Sequence, residues 1–307
     1  MQKQVVNQVA RKAGVGLDGV DPLATPCNSY ERGSSDVEQM PYETMLSRTG
    51  VALVTGATSG IGAAFARALA DRGWDLVLVA RDRERLGRMA VELESRGRAV
   101  ELLPADLSDR ANVERVAARL EDPARPVDML VNNAGFGVHA PITSTDTAPH
   151  DRAIEVMGRV VLVLAGAAGR AMRERGHGAI VNVSSTAGFV TMGSYSAVKA
   201  FVTSLTEGLA NELHGTGVTV TALCPGWVRT EFHVRAGIRS SSIPNFLWLD
   251  AERLVETSLR DVRRGRVISM PSFRYRLLIW FTRHLPRRTV RWISRRISSS
   301  RNDSRTH

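Results

Sequence analysis

Lysine is almost missing from this chain: of 41 basic residues only Lys3, Lys12 and Lys199 are lysine. Positive charge is written as arginine nearly everywhere, so a lysine kept in mid-chain at 199 invites a chemical reason. Cysteine is as scarce. Cys27 falls in a polar leader and Cys224 beside an apolar strand pattern, a pair that makes neither a disulfide framework nor a metal set and that suits a reducing cytoplasm. No window approaches 18 uncharged apolar residues, and the start lacks the basic, apolar, small-residue order of a secretory signal. Neither a spanning helix nor export is therefore expected. His139, His177 and His214 show no mutual metal-ligand spacing, so no metal is expected and capping or surface roles outweigh ligation.

What the chain does have is uneven. Residues 271–307 hold ten arginines against one aspartate, which is +9 of the net +10. The body is close to neutral, which describes an ordinary domain with a basic tail and argues against a nucleic-acid partner. Residues 1–48 show no sustained period, carry Pro22, Pro26 and Pro41, and are expected to be a disordered leader. From Val51 short apolar runs alternate with amphipathic stretches. Strands are predicted at 51–55, 75–80, 99–104, 127–131, 178–184, 218–223 and 266–270, and helices at 61–72, 83–96, 111–120, 152–175, 195–214 and 251–263. Such alternation builds a parallel sheet covered on both faces, because crossovers are right-handed. The expected fold is α/β, a doubly wound Rossmann-like single domain over 49–271, followed by a basic amphipathic extension over 272–307.

The first predicted strand ends in Thr55-Gly56-Ala57-Thr58-Ser59-Gly60-Ile61-Gly62 and runs straight into a helix. Glycines there let the backbone approach a pyrophosphate, whose charge suits the N–H groups of the helix start. At the edge of the second strand Ala80-Arg81 stands where an NAD binder places an acid, and a cation there accommodates a 2′-phosphate. Arg81 thus favours NADP(H) over NAD(H). Asp82 keeps the opposite reading open. Tyr195 and Lys199 are four residues apart on a predicted helix, hence on one face. A phenol titrates near about 10, and an adjacent ammonium stabilises the phenolate, so the pair is expected to form a tuned proton donor and acceptor.

Together with Asp106-Leu107, Asn132-Asn133-Ala134-Gly135, residues 180–185 and Pro225-Gly226-x-x-x-Thr230, these motifs resemble the short-chain dehydrogenase/reductase family over roughly residues 50 to 270. The resemblance implies that Tyr195 is the general acid/base, that Lys199 holds the nicotinamide ribose and lowers the tyrosine, and that Ser185 orients the substrate carbonyl. It further implies a dinucleotide held along Gly56, Ser59, Gly60, Ile61 and Gly62, with Asp106 and Leu107 at the adenine and Asn133, Ala134 and Gly135 lining the adenosine side. Pro225, Gly226 and Thr230 would border the nicotinamide. A homo-oligomer is implied by the same analogy.

Two departures stand out. The family usually keeps an asparagine on the long helix, and a gapless alignment puts Met157 there, a thioether that cannot donate a hydrogen bond. The stretch from Ser185 to Tyr195 is also short, which makes Ser184 a substitute for Ser185. The cluster of Trp227, Ile238, Ile243, Phe246, Leu247, Trp248 and Leu249 falls where the family places its substrate lid and suits an apolar, lipid-like or polycyclic substrate. The tail, with Tyr275, Leu277, Leu278, Ile279, Trp280, Phe281, Trp292 and Ile293 among arginines, is compatible with an anionic membrane surface, a neighbouring subunit, or a solubilising end. The expectation is an NADP(H)-dependent oxidoreductase interconverting a ketone or aldehyde and an alcohol. The competing expectation is a dinucleotide-binding regulatory or scaffold protein weakened by Met157 and the short loop.

Overall fold

The computed structural model describes residues 49–138, 140–230 and 245–284. The predicted leader, His139, Ile238, Ile243, Trp292 and Ile293 lie outside them. Seven parallel strands form the main sheet: β1 (Val51–Thr55), β2 (Asp75–Ala80), β3 (Val100–Pro104), β4 (Met129–Asn132), β5 (Gly178–Val183), β6 (Val218–Leu223) and, after a two-stranded ribbon of β7 (Trp227–Val228) and β8 (Trp248–Leu249), β9 (Ile268–Ser269). Their order is β3-β2-β1-β4-β5-β6-β9. The chain winds one way from β1 to β3 and then starts again on the other side of β1. The strands' carboxyl ends therefore open a crevice between β1 and β4, the place where such sheets bind ligands.

Strand side chains alternate between two cores. Ala52, Val54, Leu76, Leu78, Met129 and Val131 face one way, where α1 (Gly60–Ala70), α2 (Arg83–Glu94) and α7 (Ala251–Arg263) cover them. Leu53, Val77, Val79 and Leu130 face the other, under α3 (Arg110–Glu121), α5 (Val160–Arg175) and the end of α6 (Gly193–Glu212). Strands apolar on both faces are what a doubly covered parallel sheet requires. The helix predicted over 152–175 differs from expectation: α4 (Ala148–Ile154) precedes it, and a π-helical segment, Glu155–Arg159, joins α4 to α5. Sequence periodicity cannot show the one inserted residue that makes a π turn. The strand predicted at 266–270 shrinks to Ile268–Ser269, because only Ala222 and Leu223 of β6 pair with it. A last helix, α8 (Phe273–His284), packs onto the body through buried Tyr275 and Ile279, so the basic extension begins as part of the folded unit.

Candidate active site

On the β1 side of the crevice the site is made of backbone. Gly56 and Gly60 have φ of 65° and 57°, a region that a Cβ disfavours. A Cβ at Gly62 would overlap the Gly56 carbonyl oxygen and Asn133 Nδ2. Ser59 caps α1 with extended backbone and makes no side-chain cap bond, which leaves the first N–H groups of the helix for an anion. Ile61 turns inward onto the core. The turn after β4 is tied to this loop: Asn133 N and Ala134 N donate to Thr55 Oγ1 at 2.9 and 3.0 Å, and Asn133 Nδ2 donates to Thr55 O at 3.0 Å. Thr230 lies against Gly60, 3.3 Å from where a Cβ would stand. The structure thus brings Gly56, Ser59, Gly60, Gly62, Asn133, Ala134 and Thr230 to one crevice.

Two more predicted residues guard its outer end. Arg81 is exposed at the tip of β2. Burial works to raise the Asp106 carboxyl, but hydrogen bonds from the Ser108 N–H and hydroxyl, with the charges of Arg81 and Arg152, hold it below its ordinary value. Leu107 is buried in the core beside it. Asp82, the residue that kept NAD(H) open, caps α2 by accepting from Arg85 N at 3.0 Å and pairs with the Arg85 side chain at 3.5 Å.

The β5–β6 side is made of side chains. Ser185 and Tyr195 are hydrogen-bonded through their hydroxyls. Ser185 Oγ also accepts from Ala187 N at 3.1 Å and lies 3.4 Å from Pro225 O. Ser184 is buried and occupied elsewhere, donating to Lys199 O at 2.7 Å with Thr203 Oγ1 at 2.8 Å. Of the two serines, only Ser185 faces the tyrosine. Lys199 is buried on the next turn of α6, and its Nζ donates to Val183 O at 2.8 Å while standing 5.8 Å from the Tyr195 ring centre.

The expected tuning of the phenol is not what this geometry gives. Burial pushes Tyr195 up to about 12, opposed by the Ser185 hydrogen bond, and pushes Lys199 down to about 8, opposed by Cys224. Desolvation disfavours both charged forms, and the ammonium, 5.8 Å from the ring centre, is not among the influences that oppose burial of the phenol. Burial likewise raises the Cys224 thiol to about 12, so this cysteine is no thiolate at neutral pH.

Met157 lies in the π-helical segment, fully buried, in a small cluster with Ala153 and Val198 against which Phe136, Val138 and Tyr195 pack. Its Sδ accepts from Phe136 N at 3.4 Å and stands 3.1 Å from where a Cβ of Gly135 would be. Sequence reasoning missed two contributors. His150 is buried with Nδ1 2.8 Å from Ser194 Oγ and Nε2 3.2 Å from Pro141 O, which ties the first turn of α6, next to Tyr195, to the segment after β4. Tyr275 of α8 covers Gly226, where a Cβ would overlap its ring, and its hydroxyl accepts from Trp227 N at 3.1 Å and donates to Leu247 O at 2.8 Å. The i, i+4 pair of Tyr275 and Ile279 was the available signal; its target was not. Trp227 and Trp248 lie 6.3 Å apart across the β7–β8 ribbon, with the Arg229 guanidinium 5.7 Å from the Trp248 ring. Open clefts at the opposite end of the sheet, bordered by Glu101, Arg119 and Arg125, are surface grooves whose charges pair with one another.

Residues 50–238 match the model of a family described as short chain dehydrogenase. Sulfoacetaldehyde reductase 2 of Chromohalobacter salexigens is 42% identical over 193 residues, 61% of this chain and 76% of that protein. Among solved structures, a short-chain dehydrogenase from Sphingobium yanoikuyae in complex with NADPH superimposes with a TM-score of 0.69 at 35% identity, over 84% of this chain and 96% of the other. A bulky-bulky ketone specific alcohol dehydrogenase from Comamonas testosteroni does so at 0.66 and 29%, with the same shares.

Proposed function

The chain belongs to the short-chain dehydrogenase family, and from that premise we propose that it interconverts a carbonyl and an alcohol with NADP(H), Tyr195 moving the proton. The observation that carries the reading is the convergence of the Ser185 and Tyr195 hydroxyls and the Lys199 ammonium at the carboxyl end of β5, in the crevice that the glycine turn opens. The residues fit a dinucleotide on structural grounds: Gly62 closes the turn too tightly for a side chain, and Ser59 leaves the helix start uncapped. Gly56, Ser59, Gly60, Ile61 and Gly62 would hold the diphosphate, Asp106 and Leu107 the adenine, and Asn133 to Gly135 the adenosine side. Arg81 would take a 2′-phosphate, and the engagement of Asp82 as a helix cap favours NADP(H) over NAD(H). When bound, the cofactor supplies or accepts the hydride.

The protein's share is the proton. In reduction Tyr195 donates its hydroxyl proton to the substrate oxygen while Ser185 holds that oxygen by a hydrogen bond. A phenol keeps its proton at neutral pH at its ordinary value and more so when burial raises it, so Tyr195 has a proton to donate in the reducing direction. Lys199, at about 8, remains largely an ammonium there and can hold ribose hydroxyls beside the tyrosine. Position 157 supplies no polar group to a proton relay, so resupply bypasses it. Trp227, Phe246, Leu247 and Trp248 give the substrate side an apolar border, and the Comamonas enzyme's bulky ketones support an apolar substrate of similar bulk.

The apolar packing around Met157 and Tyr195 favours a second reading, a dinucleotide-binding protein with little turnover. Oxidation of NADPH and NADH against long-chain, steroid-like and small carbonyls, with Tyr195→Phe in parallel, separates the two. NADPH-preferring turnover that collapses in the variant is expected. Tight NADPH binding without turnover on any carbonyl would transfer the assignment to the second reading.

A further inference from the structure

Among its described side chains, helix α8 buries Tyr275 and Ile279 against the body, 5% and 4% exposed. Around that anchor it leaves Phe273, Leu277, Leu278, Trp280 and Phe281 in solvent, and Phe246 stands 61% exposed beside the helix start, its carbonyl accepting from Arg274 at 2.6 Å. Trp280 and Phe281 meet edge to face with centroids 5.1 Å apart. Six large apolar side chains in one neighbourhood exceed what a soluble surface ordinarily scatters. The charge on the helix that carries five of them is of one sign. The helix has Arg274, Arg276 and Arg283 and no acid, and by sequence the stretch 271–307 has ten arginines and one aspartate.

We propose that α8, with Phe246, is a docking surface for an anionic lipid bilayer. A bilayer interface takes both halves of this chemistry at once, aromatic and aliphatic side chains entering the acyl boundary and arginines meeting acidic headgroups. A second copy of the same face would bring the arginines of two α8 helices together with no acid on either helix to pair them. No helix among the described residues is long and apolar enough to cross a membrane, so the contact is with the surface. Because Tyr275 bonds both Trp227 N and Leu247 O, docking places the β7–β8 ribbon, the border of the substrate side, next to the lipid.

The test is co-flotation of the full chain with vesicles of phosphatidylglycerol and phosphatidylcholine, against phosphatidylcholine alone, at low and high salt. Binding that favours the anionic vesicles by about tenfold or more and falls with salt is expected. Trp280→Ser with Phe281→Ser, both exposed and outside the reaction site, is expected to cut that binding by about tenfold while thermal unfolding and NADPH binding stay as they were. Absence of flotation with anionic vesicles, or equal flotation of the double variant, would overturn the proposal. So would a dimer in sedimentation that the double variant turns to monomer, which would give the face to a second copy. None of these readouts depends on turnover, so a failed activity assay leaves them intact.

Discussion

The two walls of the crevice work by different means. At the β1–α1 turn the chain presents backbone: N–H groups of an uncapped helix start, and a close approach at Gly62 that admits no side chain. At the ends of β5 and β6 it presents side chains, with Ser185, Tyr195 and Lys199 set by burial and by hydrogen bonds to carbonyls such as Val183 O. The first wall is indifferent to pH but intolerant of volume. The second titrates, because burying an ammonium and a phenol moves both of their pKa values.

The difference is sharpened first by Gly62→Val. Its branched side chain meets the Gly56 carbonyl and Asn133; Gly56 N is held by Val79 O and Asn133 by Thr55, so the loop cannot yield without disturbing the turn after β4. A loss of about 3 kcal/mol in unfolding free energy is expected, together with loss of NADPH binding. Urea denaturation and a fluorescence titration check it. A variant of wild-type stability that still binds NADPH would mean that the turn is softer than its packing implies.

The same contrast explains what was legible in advance. The part of the constraint at Gly62 that comes from the Gly56 carbonyl acts between residues six positions apart, and it leaves a glycine spacing in the sequence that carries its own context. Tyr195 and Lys199 were legible for a like reason, one helical turn. Yet the direction of the tyrosine shift was not, since it depends on desolvation by elements distant in sequence. Tyr275 over Gly226 joins positions 49 apart, and nothing in the local pattern points from one to the other. The π-helical segment was hidden too, because one extra residue barely disturbs apolar spacing.

On the side-chain wall, Lys199 gives the next effect. It titrates at about 8 in the fold against an ordinary 10.5, so between those values the unfolded chain binds more protons and stability rises with pH. Tyr195, held at about 12 against an ordinary 10.0, keeps its proton longer than the unfolded chain does, and its burial makes stability fall again above pH 10. Unfolding free energy is therefore expected to climb by about 2 kcal/mol between pH 7.5 and 9.5. In Lys199→Met that climb should vanish, whereas in Gly62→Val it should persist. Denaturation at the two pH values decides; an unchanged slope in the lysine variant would place the titrating group elsewhere.

Tyr275→Phe keeps the ring over Gly226 and removes only the hydroxyl. Trp227 N loses its acceptor and Leu247 O its donor, a cost of about 1–2 kcal/mol. Because both partners border the substrate side, KM for an apolar carbonyl should rise with kcat little changed, and NADPH affinity should stay constant. An equal fall in kcat and kcat/KM would instead place Tyr275 in the transition state's surroundings.

Met157 tests whether the wall that bears the chemistry also needs an acceptor behind it. Its Sδ is the partner of Phe136 N, so the thioether does for the turn after β4 part of what a polar side chain would do, although it can donate nothing. Met157→Leu keeps the volume, which by itself costs under about 1.5 kcal/mol, but leaves that N–H without its acceptor. A stability loss of about 1 kcal/mol is expected, with kcat lowered by less than about tenfold because no proton passes through position 157 in either side chain. Met157→Asn supplies an acceptor and a donor, so a large gain in kcat from asparagine alone would show that the relay is limiting and that the apolar cluster around Tyr195 restrains turnover.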